Sequence, residues 1–181
     1  MDAGGGIESG GEGEHGAIRV RTAHLADAPA IAAIHVCAWE RAYRGMVPDA
    51  EIDRRTLAWR TSMWKEILNG TVDDRRPWVA VAERDGATIG FVSLGAARDG
   101  SIEITALYVD PDAWRDRAGT ALMAAALDQA TGRGCAGVTL WVLEPNLRAR
   151  AFYAGCGFAD DGGRRTEGDG WPVELRLRRA P

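Results

Sequence analysis

Lysine is almost missing from this chain: Lys65 stands alone among 22 basic residues, the others being arginine, a bias that points to GC-rich coding and a bacterial source. Cysteine is scarce too. Cys37, Cys135 and Cys156 stand far apart and form no Cys-x-x-Cys pair, which excludes a disulfide framework and leaves reduced thiols as the expected state. No apolar stretch approaches the roughly 20 residues of a membrane span, and the start has neither the basic nor the apolar region of a secretory signal. A cytoplasmic chain with no membrane partner is therefore expected. Nor is there a Gly-x-Ser-x-Gly elbow or a His/Cys spacing that suits zinc, so a serine hydrolase and a metal cofactor both fall away. Excess charge is the last absence. The formal net charge of -4 belongs to residues 1–17, which carry Asp2, Glu8, Glu12 and Glu14 and no Lys or Arg, so the remainder balances 22 acids against 22 bases. Without a concentrated basic field, nucleic acid is not an expected partner.

What is present reads as a glycine- and acid-rich tail over residues 1–17, expected to be disordered, followed by one domain over residues 18–181. Ile18 to Thr22 alternates as a strand. Asp27 then precedes a helical run with Ile31, Ile34, Ala38 and Ala42 on related faces, ended by Gly45 and Pro48. A second helix is expected from near Asp49 to Asn69-Gly70. Strands follow over Trp78–Arg84 and Thr88–Ala96, separated by Asp85-Gly86, a strong hairpin signal, and over Ser101–Val109. A helix from Ala118 to Thr131, a strand from Val138 to Leu143, a helix opened by Asn146 and closed near Gly155, and a final pair of strands complete the chain. The fold class is thus α/β (α+β): a mixed, mostly antiparallel sheet of about seven strands flanked by about four helices, in the order β-α-α-β-β-β-α-β-α-β-β.

Chemistry concentrates in two segments. The strand ending at Leu107-Tyr108-Val109 turns through Asp110 and Pro111 and reaches Trp114-Arg115-Asp116-Arg117-Ala118-Gly119-Thr120 at a helix start. Uncapped N–H groups and the positive end of a helix dipole make such a start an anion site. Gly119 admits a phosphate to the backbone, Thr120 adds a hydroxyl, and Arg115 and Arg117 screen the charge; an ordinary helix start with solvated arginines has the same appearance. The second segment places Ala149, Phe152, Tyr153 and Cys156 on one helix face behind the N-cap Asn146, with Gly157 ending the helix before Phe158. By itself Tyr153 reads equally as a half-buried core residue. A third candidate, the Gly132 to Gly137 Gly-x-Gly-x-x-Gly run, closes a helix and enters a strand, the reverse of a dinucleotide site, and is read as a turn.

Taken in this order, the chain resembles the GNAT superfamily of acetyl-coenzyme A dependent N-acetyltransferases over about residues 18–178. The family's Gln/Arg-x-x-Gly-x-Gly/Ala motif aligns with Trp114 to Gly119, where Trp114 replaces the Gln or Arg and Arg117 replaces the first glycine. A positive φ at Arg117 would be strained. The second motif, Asn-x-x-Ala-x-x-x-Tyr-x-x-x-Gly-Phe, is matched at Asn146, Ala149, Tyr153, Gly157 and Phe158. The resemblance implies acetyl-coenzyme A as co-substrate, held by Leu107, Val109, Arg115, Arg117, Ala118, Gly119, Thr120, Asn146 and Tyr153 between strands that splay after Val109 and Leu143. It implies a backbone N–H near Val109 on the thioester carbonyl, Asn146 on the pantetheine arm, Tyr153 as the acid for the departing thiolate, and a small-molecule or peptide amine as acceptor. Counting by twos from Val109 sets Leu107, Thr105 and Glu103 on one strand face, so Glu103 is the expected base, with His35 behind it. Trp39 and Tyr43, beside the Gly45 to Pro48 loop, either border the acceptor or belong to the core, and the charged segment from Gly162 to Gly170 is expected to be a hairpin loop. Superfamily members often dimerise, which leaves a homodimer open. The rival reading is a noncatalytic acyl-coenzyme A binding or regulatory module.

Overall fold

A computed structural model describes residues 16–70, 77–97 and 99–180; the expectation of a disordered tail falls almost wholly outside them. Seven strands, β1 (Arg19–Thr22), β2 (Trp78–Arg84), β3 (Ala87–Ala96), β4 (Ile102–Val109), β5 (Val138–Leu143), β6 (Ala159–Arg165) and β7 (Glu174–Arg179), form one sheet in the order β1-β2-β3-β4-β5-β7-β6. Every neighbouring pair is antiparallel except β4 and β5. Five α-helices flank it: α1 (Ala28–Tyr43), α2 (Asp49–Asp53), α3 (Leu57–Asn69), α4 (Ala118–Thr131) and α5 (Leu147–Gly155).

The fifth helix arises because the run expected to be continuous from Asp49 breaks. Thr56 takes an extended backbone (φ -63°, ψ 161°) and its hydroxyl accepts the Trp59 N–H at 3.2 Å, so α3 starts afresh with its own cap. The Asp85-Gly86 turn has positive φ at both residues, 51° and 79°, the conformation a two-residue hairpin demands. The expected loop from Gly162 begins later. Asp161 to Gly163 bulge out of β6, its partners shifting from Leu177 at Asp160 to Leu175 at Arg164, and the strand runs on to Arg165.

Each face of the sheet has its own core. On one side Leu122, Met123 and Ala126 of α4, with Phe152 and Tyr153 of α5, pack on Val92, Ile102, Ile104, Leu140 and Leu175. On the other, Ile31 and Ile34 of α1 and Trp64 of α3 pack on Val79, Val81 and Phe91. Gly90 lets α4 approach: a Cβ there would stand 3.0 Å from both the Leu122 side chain and the Tyr108 carbonyl. A third, smaller cluster of Val47, Ile52 and Leu143 with Trp39, Tyr43 and Trp171 seals the end of the sheet where β4 and β5 part.

Candidate active site

The parallel pairing of β4 with β5 covers only Ile102 to Ile104 against Val138 to Leu140, and beyond it the strands separate, as the resemblance implies. Val109 lies opposite Gly90, and the next N–H, that of Asp110, donates to the Ile89 carbonyl at 2.9 Å. Successive backbone groups of a strand point to opposite edges, so the Val109 N–H and C=O are directed into the gap. The carbonyl accepts the Trp114 indole N–H at 2.9 Å. Trp114, the departure from the family motif, thus pins the end of β4, and the Arg148 guanidinium stacks on it 3.4 Å from the ring centroid.

The α4 N-terminus beside it is open. No side chain caps the helix, so the N–H groups of its first turn, Ala118 to Thr120, are presented with the helix dipole behind them. Arg117 occupies the left-handed region at φ 63°, and Arg115 does so at 77°. Arg117 therefore holds, with a side chain, a conformation that glycine adopts freely, at a cost of about 1–2 kcal/mol. A Cβ at Gly119 would meet the Phe152 ring at 3.5 Å and Val109 at 3.8 Å, ordinary contacts, so packing inside the protein does not by itself require glycine there. Asn146 accepts the Ala149 N–H at 3.1 Å through its Oδ1 and caps α5.

Tyr153 projects from α5 with its ring 5.4 Å from Phe152 and 6.1 Å from Phe158. Burial, then the nearby phenol of Tyr108, pushes its pKa up, so it keeps its proton at neutral pH. Tyr108 belongs to the opposite core. Tyr108 stands on β4 beyond Ile104, the last residue of that strand paired with β5.

On that opposite side Tyr108 is the hub. Its hydroxyl accepts the Trp39 indole N–H at 2.9 Å and lies 3.3 Å from the Tyr43 hydroxyl. Burial raises the pKa of both phenols. Trp171, carried by the β6–β7 loop, faces Trp39 at 6.4 Å, and Glu174, opposite Leu143 at the end of β7, acts on Tyr43 and Tyr108 and is held by Arg165. Trp39 and Tyr43 thus pack into the third cluster. His35 is not a base in waiting: it is 5% exposed, its Nδ1 accepts the Trp64 indole N–H at 3.1 Å, its ring stacks on Tyr108 at 4.6 Å, and burial, with Arg60 and Arg55, holds its pKa well down.

Glu103 is not where the count by twos sets it. Leu94 pairs with Ile104 and Ser93 with Ala106, so Thr105 is an extra residue that reverses the alternation. Ile102 and Ile104 share the α4 face with Leu107 and Val109, and Glu103 turns to the other face, in the stretch where β4 is still paired with Thr139 of β5. Sequence reasoning missed Tyr108, Trp171, Glu174 and the α3 arginine Arg60. The first three adjoin residues it did select, but nothing in their local pattern sets them apart from core or loop residues. Among the described residues, no group of three or more His, Cys, Asp or Glu is placed to hold a metal ion, and no helix is long and apolar enough to cross a membrane.

Residues 39–158 match the model of the acetyltransferase (GNAT) family. A probable N-acetyltransferase of Mycobacterium tuberculosis is 31% identical over 148 residues, covering 80% of this chain and 82% of that protein. Among solved structures, the PaiA N-acetyltransferase of Thermoplasma acidophilum in complex with coenzyme A superposes with a TM-score of 0.71 at 17% identity, covering 91% of this chain and 99% of its own. A ribosomal-protein-alanine N-acetyltransferase from Brucella melitensis gives 0.67 at 24% identity over 90% and 99%. The splayed strands, the open helix start and the Asn146 to Phe158 motif agree with these likenesses: the chain belongs to the GNAT family and is an acetyl-coenzyme A dependent acetyltransferase.

Proposed function

We propose that the enzyme acetylates a primary amine, on a small molecule or a peptide, by direct attack within a ternary complex. One observation carries the reading: β4 runs on past its pairing with β5, and this free stretch carries Leu107 and Val109 in the core that holds Tyr153 on one face and Tyr108, bonded to Trp39 and Tyr43, on the other, so one opening can serve both substrates. Acetyl-coenzyme A supplies an activated thioester. Ala118 to Thr120 receive its phosphates, the edges of Leu107 and Val109 receive the pantetheine arm with Asn146 beside it, and Arg115, Arg117 and Arg148 add charge at the rim.

The Val109 N–H donates to the thioester carbonyl oxygen, where negative charge grows during attack. Glu174 takes the proton that an ammonium acceptor must lose before its nitrogen can attack. Tyr153, neutral at working pH because burial disfavours its charged form, gives its proton to the sulfur as the carbon–sulfur bond breaks; the second proton, shed by the attacking nitrogen as the amide forms, passes to solvent, from which Tyr153 regains its own. Glu174 is favoured over Glu103 because it pairs with Leu143, which shares a cluster with Trp39 and Tyr43 at the open end of β5, whereas Glu103 sits where β4 and β5 are still paired. We assign the reaction to the cytoplasm, in keeping with the three free cysteines.

An amine panel read by thiol release tests this. Amine-dependent release, with initial-rate lines that intersect when both substrates are varied, is the expected result; parallel lines would show an acetylated enzyme in place of the ternary complex.

A further inference from the structure

Among the described residues, Arg60 alone has buried side-chain nitrogens with no hydrogen-bond partner. It is 5% exposed, yet its Nε and Nη2 have no hydrogen-bond partner, and its Nη1 has only the sulfur of Met63 at 3.8 Å. The guanidinium lies over Trp39 at 4.9 Å and over Trp59 at 5.1 Å, with the Arg55 guanidinium 4.7 Å from the same Trp39 ring. Two aromatic faces and a second cation leave its charge without an anion. Burial draws its pKa down only to about 10, so it stays charged at neutral pH.

The two orphaned nitrogens are not a random pair. Nε and Nη2 lie on one edge of the guanidinium, and this edge makes two parallel N–H···O bonds to a carboxylate. Beside Arg60 is a cavity of about 150 Å³ between α1, α2 and α3, lined also by Trp39, Arg55, Thr56, Glu40 and Asp53. The chain's own carboxylates there are taken: Arg44 holds Glu40, with Nη2 to Oε2 at 2.7 Å, and Asp53 at 2.9 Å. Arg55 is engaged by Glu51 at 2.8 Å. A buried fork is costly to leave open and rewarding to fill. The cavity is only one indole ring from the site of transfer, because Trp39 lines it and donates from its edge to Tyr108.

We infer that the Nε–Nη2 edge of Arg60 binds a carboxylate, and that this carboxylate belongs to the acceptor, so the enzyme acetylates amines that also carry an acid group. The inference rests on the amine-acetylating reading above for its second half only. Arg60 is then a specificity-determining residue: it pairs with the acid while the amine lies on the Tyr108 side of Trp39.

Two measurements on the full chain separate the halves. In the first, acetate and its neutral counterpart acetamide are titrated against thermal stability at constant ionic strength. Acetate is expected to raise the melting temperature and acetamide not to, with the difference lost in Arg60→Gln and weakened in Arg60→Lys, which keeps the charge without the fork. Should Arg60→Gln fail to fold, the wild-type contrast and Arg60→Lys still decide. Equal effects of acetate and acetamide on the wild-type protein would overturn the site. In the second, amino acids and their amides are compared as acceptors by thiol release. The acid member is expected to have about tenfold or greater kcat/KM, falling to parity in Arg60→Gln with the KM for acetyl-coenzyme A unchanged. Parity in the wild type would overturn the acceptor assignment. An Arg60-dependent acetate effect with no amine turned over at all would leave the fork standing and overturn amine acetylation.

Discussion

On the side of the β4–β5 gap proposed for the coenzyme, the groups come from two short stretches, Val109 to Thr120 and Asn146 to Tyr153, and much of what they offer is backbone N–H groups and a helix terminus. On the side proposed for the acceptor they come from α1, α3, β4, the β6–β7 loop and β7, as Trp39, Tyr43, Arg60, Tyr108, Trp171 and Glu174, and what they offer is side chains. A coenzyme shared across a family can be met by a fixed local geometry. An acceptor that differs from enzyme to enzyme is met by side chains that can change without disturbing that geometry.

The comparison can be broken most strongly at Glu174, the acceptor-side carboxylate. Glu174→Gln is expected to lower kcat/KM for the amine about a hundredfold near neutral pH, while the calorimetric affinity for acetyl-coenzyme A stays the same. Raising the pH toward the amine's own pKa should restore much of the loss, since a neutral amine needs no base. A loss equal at every pH would remove Glu174 from proton transfer.

Next in size is a pH effect on stability that belongs to the acceptor-side core alone. His35 is buried neutral, with its pKa held below that of the unfolded chain, so the unfolded state binds the extra proton first. Its contribution is complete above the unfolded value of about 6.5 and is lost as pH falls below it, by up to about 1.4 kcal/mol per pH unit. Thermal melts from pH 7.5 to 5 should show this fall, and His35→Gln should flatten it. An unchanged slope in the variant would place the titration elsewhere.

The smallest effect sharpens the coenzyme side. Arg117→Gly relieves a left-handed backbone (φ 63°) and is expected to stabilise the protein by about 1 kcal/mol, a rise of about 2–4 °C in Tm. A lower Tm would mean that the arginine side chain contributes more than its backbone costs.

The same contrast explains what could be read in the sequence. β2, α4 and β5 begin and end where periodicity, Asp85-Gly86 and the glycine-rich turn after α4 set them, because these signals act within a few residues. The open start of α4 and the Asn146 cap of α5 were legible for the same reason. Two failures were also local in cause but not in sign. Thr56 outcompetes a continuing helix by capping α3, and Thr105 adds one residue to β4, which no alternation count foresees and which turns Glu103 to the other face. The acceptor side was illegible because its residues are joined only by tertiary packing: nothing near Arg60 in the chain marks it as buried, and nothing near Tyr108 shows that an indole and a second phenol converge on its hydroxyl.

The proposed reaction turns on the β4–β5 gap, with Tyr153 as the proton donor to the departing sulfur. The direct test is Tyr153→Phe, which keeps the ring in its contacts with Phe152 and Phe158 and removes only the hydroxyl. Its kcat for amine-dependent thiol release should fall about a hundredfold or more, with acetyl-coenzyme A affinity by calorimetry within about twofold of the wild type. A kcat within a few-fold of the wild type, at unchanged affinity, would contradict the account.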